Sequence, residues 1–146
     1  EIFTSNDGEV IFKKYSPIGE LSAFAGQYAE ILHKTSSRPV IVCDRDHVVS
    51  ASGLPKKELL ERRISPALEE LIEERKSYIY GQQGGALLYP VEGIERPALV
   101  EYPIISAGDV CGSILFLADG EPTVPTEAEE KLLQAAAGFL GKQMEE

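Results

Sequence analysis

The sequence predicts an α+β fold, in which a mostly antiparallel sheet carries the N- and C-terminal helices on one face and short helices and loops on the other. One observation behind this prediction is a pair of strand-like runs, residues 98–105 and 110–118, joined by a tight turn at Gly108. The other is an amphipathic helical pattern near each end of the chain. Because neither run alternates between apolar and polar residues, we expect both strands to be central and covered on both faces.

The terminal helices are predicted from their caps and their spacing. Ser16 and Pro17 are suited to the N-cap and first positions of a helix that runs to about Lys34. Thr126, followed three residues later by Glu, forms a capping box that opens a helix to about Met144. The apolar faces comprise Leu21, Phe24, Ala25, Tyr28, Ile31 and Leu32 in the first helix and Leu132, Leu133, Ala136, Phe139, Leu140 and Met144 in the last.

Shorter elements fill the middle of the chain. The pattern predicts strands at 39–44, 48–52 and 77–80, short helices from 53 and 65, and an irregular loop over 81–93. Ser65 before Pro66 is a helix N-cap signal. The order is therefore helix, two strands, two short helices, one strand, loop, two strands and helix.

Composition limits the function. The 146 residues contain 43% hydrophobic residues, enough to bury a core, and carry a net charge of −10. Such an acidic chain should not bind nucleic acid by itself, because phosphate binding needs a basic surface. Cys43 and Cys111 lie far apart in apolar runs, which favours two buried free thiols in a reducing cytoplasm; a disulfide between them would require their strands to be adjacent. We expect no membrane span and a cytoplasmic protein.

Residues 1–15 predict a β-hairpin around Asp7-Gly8. Two strands alone are marginally stable in water, so this hairpin needs partners that nothing nearby in the sequence supplies. The chain also begins at Glu1 rather than at Met. We therefore expect residues 1–16 to be the end of a domain whose first part is missing, and residues 17–146 to be a separate domain.

The order of elements and the hairpin at 102–116 resemble a GAF domain. Residues 7–18 resemble the junction at which an AbrB-type swapped-hairpin DNA-binding domain runs into a GAF domain in sporulation transcription regulators. Residues 42–46, 51–53 and 136–145 are also similar to those regulators. The resemblance implies a GAF-like fold for residues 17–146, and it implies that residues 1–16 are the C-terminal hairpin of a truncated AbrB-type domain.

The same resemblance implies a dimeric or tetrameric regulator of endospore-forming bacteria, assembled partly through the helices at the two ends of the GAF domain. In this family the DNA contacts lie mostly in the N-terminal half of the AbrB-type domain, which this chain lacks. We therefore expect a sensor and assembly module that reaches DNA only through that missing domain.

A GAF domain commonly holds a small molecule between its sheet and its short helices. A buried polar group needs a partner, so polar residues inside apolar strands are the pocket candidates. They are Asp44, Ser50, Ser52, Glu101, Tyr102 and Ser113, with Tyr78, Tyr80 and Tyr89 lining the far side. Each has another interpretation: Asp44 can cap a turn, the serines can bond to backbone or face water, and Glu101 can lie on a solvated patch or pair with an Arg. The acidic members would suit a cationic or hydrogen-bond-donating effector.

The last helix carries a face of small residues, which admits close approach of another element. That face packs either on the chain's own sheet and first helix or on another chain. The second interpretation predicts an oligomer interface that consists of Leu21, Phe24, Tyr28, Ala137, Gly141 and Met144.

Other chemistries are disfavoured by the sequence. His33 and His47 have no metal-ligand spacing with each other or with cysteine, so we expect no metal site. No phosphate-loop motif is present, and no cofactor is expected. Three hypotheses remain: a ligand-sensing module, a purely structural assembly module with a vestigial pocket, and a thiol enzyme. We expect no enzyme, because Cys43 and Cys111 lie in buried strands rather than at an exposed reactive position.

Overall fold

The computed structural model describes residues 22–82 and 86–145. The predicted hairpin at 1–15, the helix start at Ser16 and the interface residue Leu21 lie outside the described residues. The elements are α1 (Ser22–Ser36), β1 (Val40–Asp44), β2 (Val48–Ser52), α2 (Lys56–Leu59), α3 (Pro66–Glu74), β3 (Tyr78–Ile79), β4 (Ala98–Ser106), β5 (Asp109–Leu117) and α4 (Glu127–Gln143).

The five strands form one sheet in the order β2-β1-β5-β4-β3, with every neighbouring pair antiparallel. The predicted α+β class and the central β4–β5 hairpin are confirmed. The hairpin turns through Ala107 and Gly108, whose φ angles are 52° and 86°. Positive φ at both central positions is the type I′ geometry, which matches the twist of the flanking strands, and Gly108 adopts it without steric cost.

Two apolar cores lie on opposite faces of the sheet. The helix-side core lies under α1 and α4 and includes Ala29, Leu32, Val42, Leu99, Ile114, Phe116, Leu133 and Leu140. The loop-side core lies under α2, α3 and the segment before β4 and includes Ile41, Cys43, Leu59, Leu68, Ile72, Tyr78, Leu88, Val91 and Leu115. This arrangement is the predicted one, with the long helices on one face and the short helices and loop on the other.

Side-chain caps fix two of the helices. The Ser65 hydroxyl accepts a hydrogen bond from the Leu68 N–H at 3.2 Å. Thr126 and Glu129 form the predicted capping box, with hydrogen bonds of 3.1 Å and 2.9 Å. The Glu129 carboxylate also accepts two hydrogen bonds from the Arg38 guanidinium, at 3.0 Å and 3.2 Å. The start of α4 is thereby tied to the residues that precede β1.

The small residues of α4 correct one expectation from the sequence. Ala137 and Gly141 are buried, and a Cβ placed on Gly141 would overlap the carbonyl oxygen of Ile105 in β4. Their lack of bulk lets α4 approach the chain's own sheet. The space beside Ala137 and Gly141 is therefore taken by the chain's own sheet. The intramolecular interpretation replaces the prediction that these two residues contact another chain.

Candidate functional site

Glu101 lies near the centre of the sheet on β4. In the strand register it is opposite Leu115 of β5 and Tyr78 of β3. Both partners belong to the loop-side core, and directly opposed residues of antiparallel strands share a face, so Glu101 points into that core. Its side chain has an exposed fraction of 0%.

The Glu101 carboxyl group is unsatisfied. Neither oxygen has a hydrogen-bond partner among the described residues. Burial raises the pKa of Glu101 to about 8, because desolvation disfavours the charged form. At neutral pH a large share of the molecules therefore hold a neutral carboxylic acid here.

Ser113 and Cys43 complete a group that we term the buried polar cluster, comprising Glu101, Ser113 and Cys43. Ser113 is opposite Cys43 in the register, and its buried hydroxyl likewise has no partner among the described residues. Ser113 lies two positions along β5 from Leu115, which places it diagonally from Glu101, with about 7–8 Å between such neighbours. Burial, and after it the charges of Asp44 and Glu101, raise the pKa of the Cys43 thiol.

The sheet separates other pocket candidates from this cluster. Ser50 and Ser52 are opposite Val42 and Val40, and Tyr102 is opposite Ile114. Those partners belong to the helix-side core. Ser50, Ser52 and Tyr102 therefore face α1 and α4, and the structure does not bring them together with Glu101 and Ser113.

Asp44 takes the turn-capping role. Its Oδ1 accepts hydrogen bonds from the backbone N–H groups of Asp46 and His47, both at 2.7 Å. The ligand atoms of Asp44, Asp46 and His47 lie within 4.8 Å of one another, a grouping that the sequence reasoning missed because it weighed only spacings between His and Cys. The two hydrogen bonds from the backbone explain why these three side chains lie close together: Asp44 caps the turn that contains the other two residues.

The tyrosines occupy three different environments. Tyr78 is buried beside Glu101, and its hydroxyl donates a hydrogen bond to the carbonyl of Ala86. Tyr80 is partly buried at the edge of the sheet and packs against both cores. Tyr89 is 43% exposed and lines an outer cavity of about 540 Å³ together with Ser65. Only Tyr78 therefore adjoins the buried polar cluster through the strand register.

A cavity of about 340 Å³ opens between the β1–β2 turn and α3. We term it the acidic cleft; its lining residues are Arg45, Asp46, Glu69, Ile72 and Glu73. The Arg45 guanidinium approaches the Glu73 carboxylate at 3.9 Å, which leaves the remaining carboxylates in excess. Ile72, only 1% exposed, also belongs to the loop-side core that contains Cys43. This cleft is not predictable from the sequence, because α3 meets the β1–β2 turn only in the folded chain.

The outer surface of the helix pair carries an aromatic cluster of Phe24, Tyr28 and Phe139. The ring centroids lie 5.3–6.4 Å apart. Phe139 is 44% exposed, and Ile31 on α1 is 57% exposed. Met144, another interface candidate, packs against the helix-side core and is partly buried. Of the predicted interface residues, Phe24 and Tyr28 therefore lie in a partly exposed apolar patch.

Among the described residues, no helix has the length and apolar character needed to cross a bilayer.

The chain resembles known proteins in sequence and in fold. Residues 20–145 match the family described as the stage V sporulation protein T C-terminal, transcription factor. The chain is 38% identical over 148 aligned positions to stage V sporulation protein T of Bacillus subtilis (strain 168), covering 100% of this chain and 81% of that protein.

Two solved structures share the fold at low sequence identity. One is the GAF domain of an Acinetobacter phosphoenolpyruvate-protein phosphotransferase, with a TM-score of 0.65, 12% identity and coverage of 85% of this chain and 81% of that chain. The other is the cofactor-binding GAF domain of the nutrient sensor CodY from Clostridium difficile, with a TM-score of 0.55, 10% identity and coverage of 82% and 83%. The fold is GAF-like, and the chain belongs to the stage V sporulation protein T family, matching the C-terminal domain of that transcription factor.

Proposed function

We propose that this chain contains the small-molecule-sensing and oligomerising module of a sporulation transcription regulator, controlling DNA binding by a domain outside it. The observation that carries the sensing role is that the buried polar groups of Glu101 and Ser113, on the face beneath α3, have no hydrogen-bond partner in the part of the chain that the structure describes. In this proposal residues 17–146 form the sensor, and residues 1–16 belong to the end of the DNA-binding domain.

The energetic cost of the two groups supports this role. Each buried polar group without a partner costs about 1–3 kcal/mol, against a total stability of about 5–15 kcal/mol for a domain. A small molecule that supplies the missing hydrogen bonds recovers part of that free energy. It alters DNA binding only if it binds two arrangements of the attached domains with different affinity.

The fold comparison gives the proposal a precedent. A structural neighbour is described as the cofactor-binding GAF domain of a nutrient sensor. The buried polar cluster of this chain lies on the sheet face covered by the short helices, where the sequence analysis predicts the pocket. As part of the same proposal, the module works in the cytoplasm, where a bacterial regulator meets DNA.

Thermal melting of the chain against a panel of amino acids, nucleotides, sugars and other metabolites tests the proposal. A ligand at 100 times its dissociation constant adds about 2.7 kcal/mol, which for this size raises Tm by roughly 5–11 °C. We expect a hit that Glu101→Gln abolishes and that Glu70→Gln, a change of an exposed carboxylate on α3, retains. A panel without any hit would contradict the sensing role.

The proposed module has no catalytic step. Thiol chemistry needs a thiolate, and burial raises the pKa of both Cys43 and Cys111. Slow labelling of both thiols by a soluble alkylating reagent in the native protein is the expected result. Rapid labelling of either one would instead favour the thiol-enzyme hypothesis.

A purely structural assembly module is the second candidate, and the aromatic cluster favours it. Phe24, Tyr28 and Phe139 present a partly exposed apolar patch on α1 and α4. Partly exposed aromatic rings are typical anchors of protein–protein interfaces. The proposed oligomer is a dimer or a tetramer that forms through this patch, and it is compatible with sensing on the opposite face of the sheet.

A further inference from the structure

We infer that the effector is a small amine or amidine whose charged N–H groups donate hydrogen bonds to the Glu101 carboxylate and the Ser113 hydroxyl. This inference rests on the proposed sensing function and narrows its ligand to one chemical class.

The chemistry of the buried polar cluster favours a ligand that donates hydrogen bonds. Without a ligand Glu101 is largely the neutral acid at neutral pH, and a bound cation would favour loss of its proton. The ionised carboxylate then only accepts hydrogen bonds, and the Ser113 hydroxyl can accept as well as donate. An ammonium or amidinium group supplies several donors and the countercharge that a buried carboxylate requires. An anionic ligand would instead place like charges together in a desolvated site.

No described residue supplies a countercharge to Glu101. Glu101 has neither an ion pair nor a hydrogen bond among the described residues. Among the described residues, the titratable groups that adjoin it include the Cys43 thiol from β1, the Tyr78 phenol from β3 and the Tyr102 phenol, the next residue along β4. All three are neutral at physiological pH, because burial raises the pKa of each. A cation that pairs with Glu101 therefore cannot come from the strands beside it and would be supplied by a ligand.

The surface on this side of the sheet also favours a cationic ligand. The acidic cleft opens on the same side of the sheet and holds Asp46, Glu69 and Glu73 against the single cation Arg45. Its inner wall is Ile72, which belongs to the same apolar core as Cys43. Together with the net charge of −10, these carboxylates raise the local concentration of small cations and repel anions. Entry then requires displacement of Ile72 and α3, because the cluster itself is fully buried.

Matched probes that differ only in the polar group test this class. The protein is titrated at pH 7 with isopentylamine, isopentanol and isovalerate, and with benzylamine, benzyl alcohol and benzoate. Thermal melting and saturation-transfer NMR report binding. We expect saturable stabilisation by at least one amine, and none by the matched alcohol or carboxylate. Glu101→Gln should weaken that amine at least tenfold, while Glu70→Gln leaves it unchanged.

Several results would overturn the inference. These are a lack of binding by every amine, equal binding of the alcohols or carboxylates, and an amine affinity that Glu101→Gln does not change. If Glu101→Gln does not fold, Ser113→Ala decides, because the loss of one acceptor should still weaken the amine several-fold. A neutral or anionic metabolite that binds in the broad panel would end the amine assignment and leave the sensing proposal intact. No binding in either panel would contradict both the amine inference and the sensing proposal.

Discussion

Glu101 combines complete burial with a carboxyl group that no described residue satisfies. At the scale of single residues, such a group makes stability depend on pH. Burial raises its pKa to about 8 from an ordinary value of 4.5. The folded chain therefore keeps this proton over a pH range in which the unfolded chain has already lost it.

We predict that the free energy of unfolding decreases as pH rises from about 4.5 to about 8, and then levels off. Over this window unfolding releases a proton, so a higher pH favours the unfolded state. The shift corresponds to a decline on the order of 5 kcal/mol. Cys43 and Tyr78, which adjoin Glu101, stay neutral across the window because burial raises the pKa of each.

Glu101→Gln should remove this decline, because the amide does not titrate. Urea unfolding from pH 5 to pH 9 measures the difference, with Glu70→Gln as the exposed control. The variant should match the wild type near pH 5 and exceed its stability above pH 8. Parallel pH profiles for the wild type and Glu101→Gln would show that the carboxyl group is paired in solution.

At the scale of elements, α4 contains two glycines with opposite surroundings. A Cβ placed on Gly138 would meet open space, whereas a Cβ placed on Gly141 would overlap the Ile105 carbonyl oxygen. The helix thus faces away from the sheet at Gly138 and approaches β4 closely at Gly141. Glycine is required only at the second of these positions.

Gly138→Ala and Gly141→Ala should therefore change stability in opposite directions. The first should stabilise the protein by about 0.5–1 kcal/mol through helix propensity. The second should destabilise it by about 1–3 kcal/mol, because α4 must move away from the sheet. Chemical denaturation of the wild type and both variants at one fixed protein concentration measures both changes. A neutral Gly141→Ala would mean that α4 does not lie against β4 as described.

The β4–β5 turn is a second element whose sequence is not optimal for its geometry. Ala107 has φ of 52°, a conformation that is costly for alanine and tolerated by asparagine. Ala107→Asn creates the Asn-Gly pair that two-residue hairpin turns favour. We expect Tm to rise, by an amount that corresponds to about 0.5–1 kcal/mol. Gly108→Ala, at φ of 86°, is the matched control and should lower Tm.

At the scale of the whole molecule, association is predicted to depend on the aromatic cluster. Phe139→Gln removes the most exposed ring of the cluster and should weaken self-association about tenfold or more, since burial of such a side chain contributes about 1.5–3 kcal/mol. Val124→Gln, a change of a 65% exposed side chain before α4, is the control and should leave association unchanged. Sedimentation equilibrium measures both. A Phe139→Gln variant with wild-type association would exclude this patch as the interface.

Much of the fold was predictable from local signals. The caps at Ser65 and Thr126 and the turn at Gly108 depend on neighbouring residues, and the structure confirms each of them. The covering of both sheet faces was predictable because β4 and β5 do not alternate between apolar and polar residues. Residues 1–21 lie outside the described part, so the domain boundary there stays a prediction.

Which of the site residues lie together was not predictable, because the strands that carry them lack apolar alternation. A strand buried on both faces has no apolar alternation from which to read the direction of a side chain. Bulges between Ala98 and Val100 and between Val42 and Cys43 also shift the parity of the strands. The sequence thus identified Glu101 and Ser113 but could not separate them from Tyr102 and Ser50, which face the other side.

Glu101 and Tyr102 are consecutive residues on opposite faces of β4. A single peptide unit therefore joins the buried polar cluster to the core beneath the helices. The same strand carries the Ile105 carbonyl against which Gly141 of α4 is packed. In the proposed sensing role, an effector that displaces β4 at Glu101 would also move the Ile105 carbonyl, which lies further along the same strand, and would thereby shift α4 at Gly141.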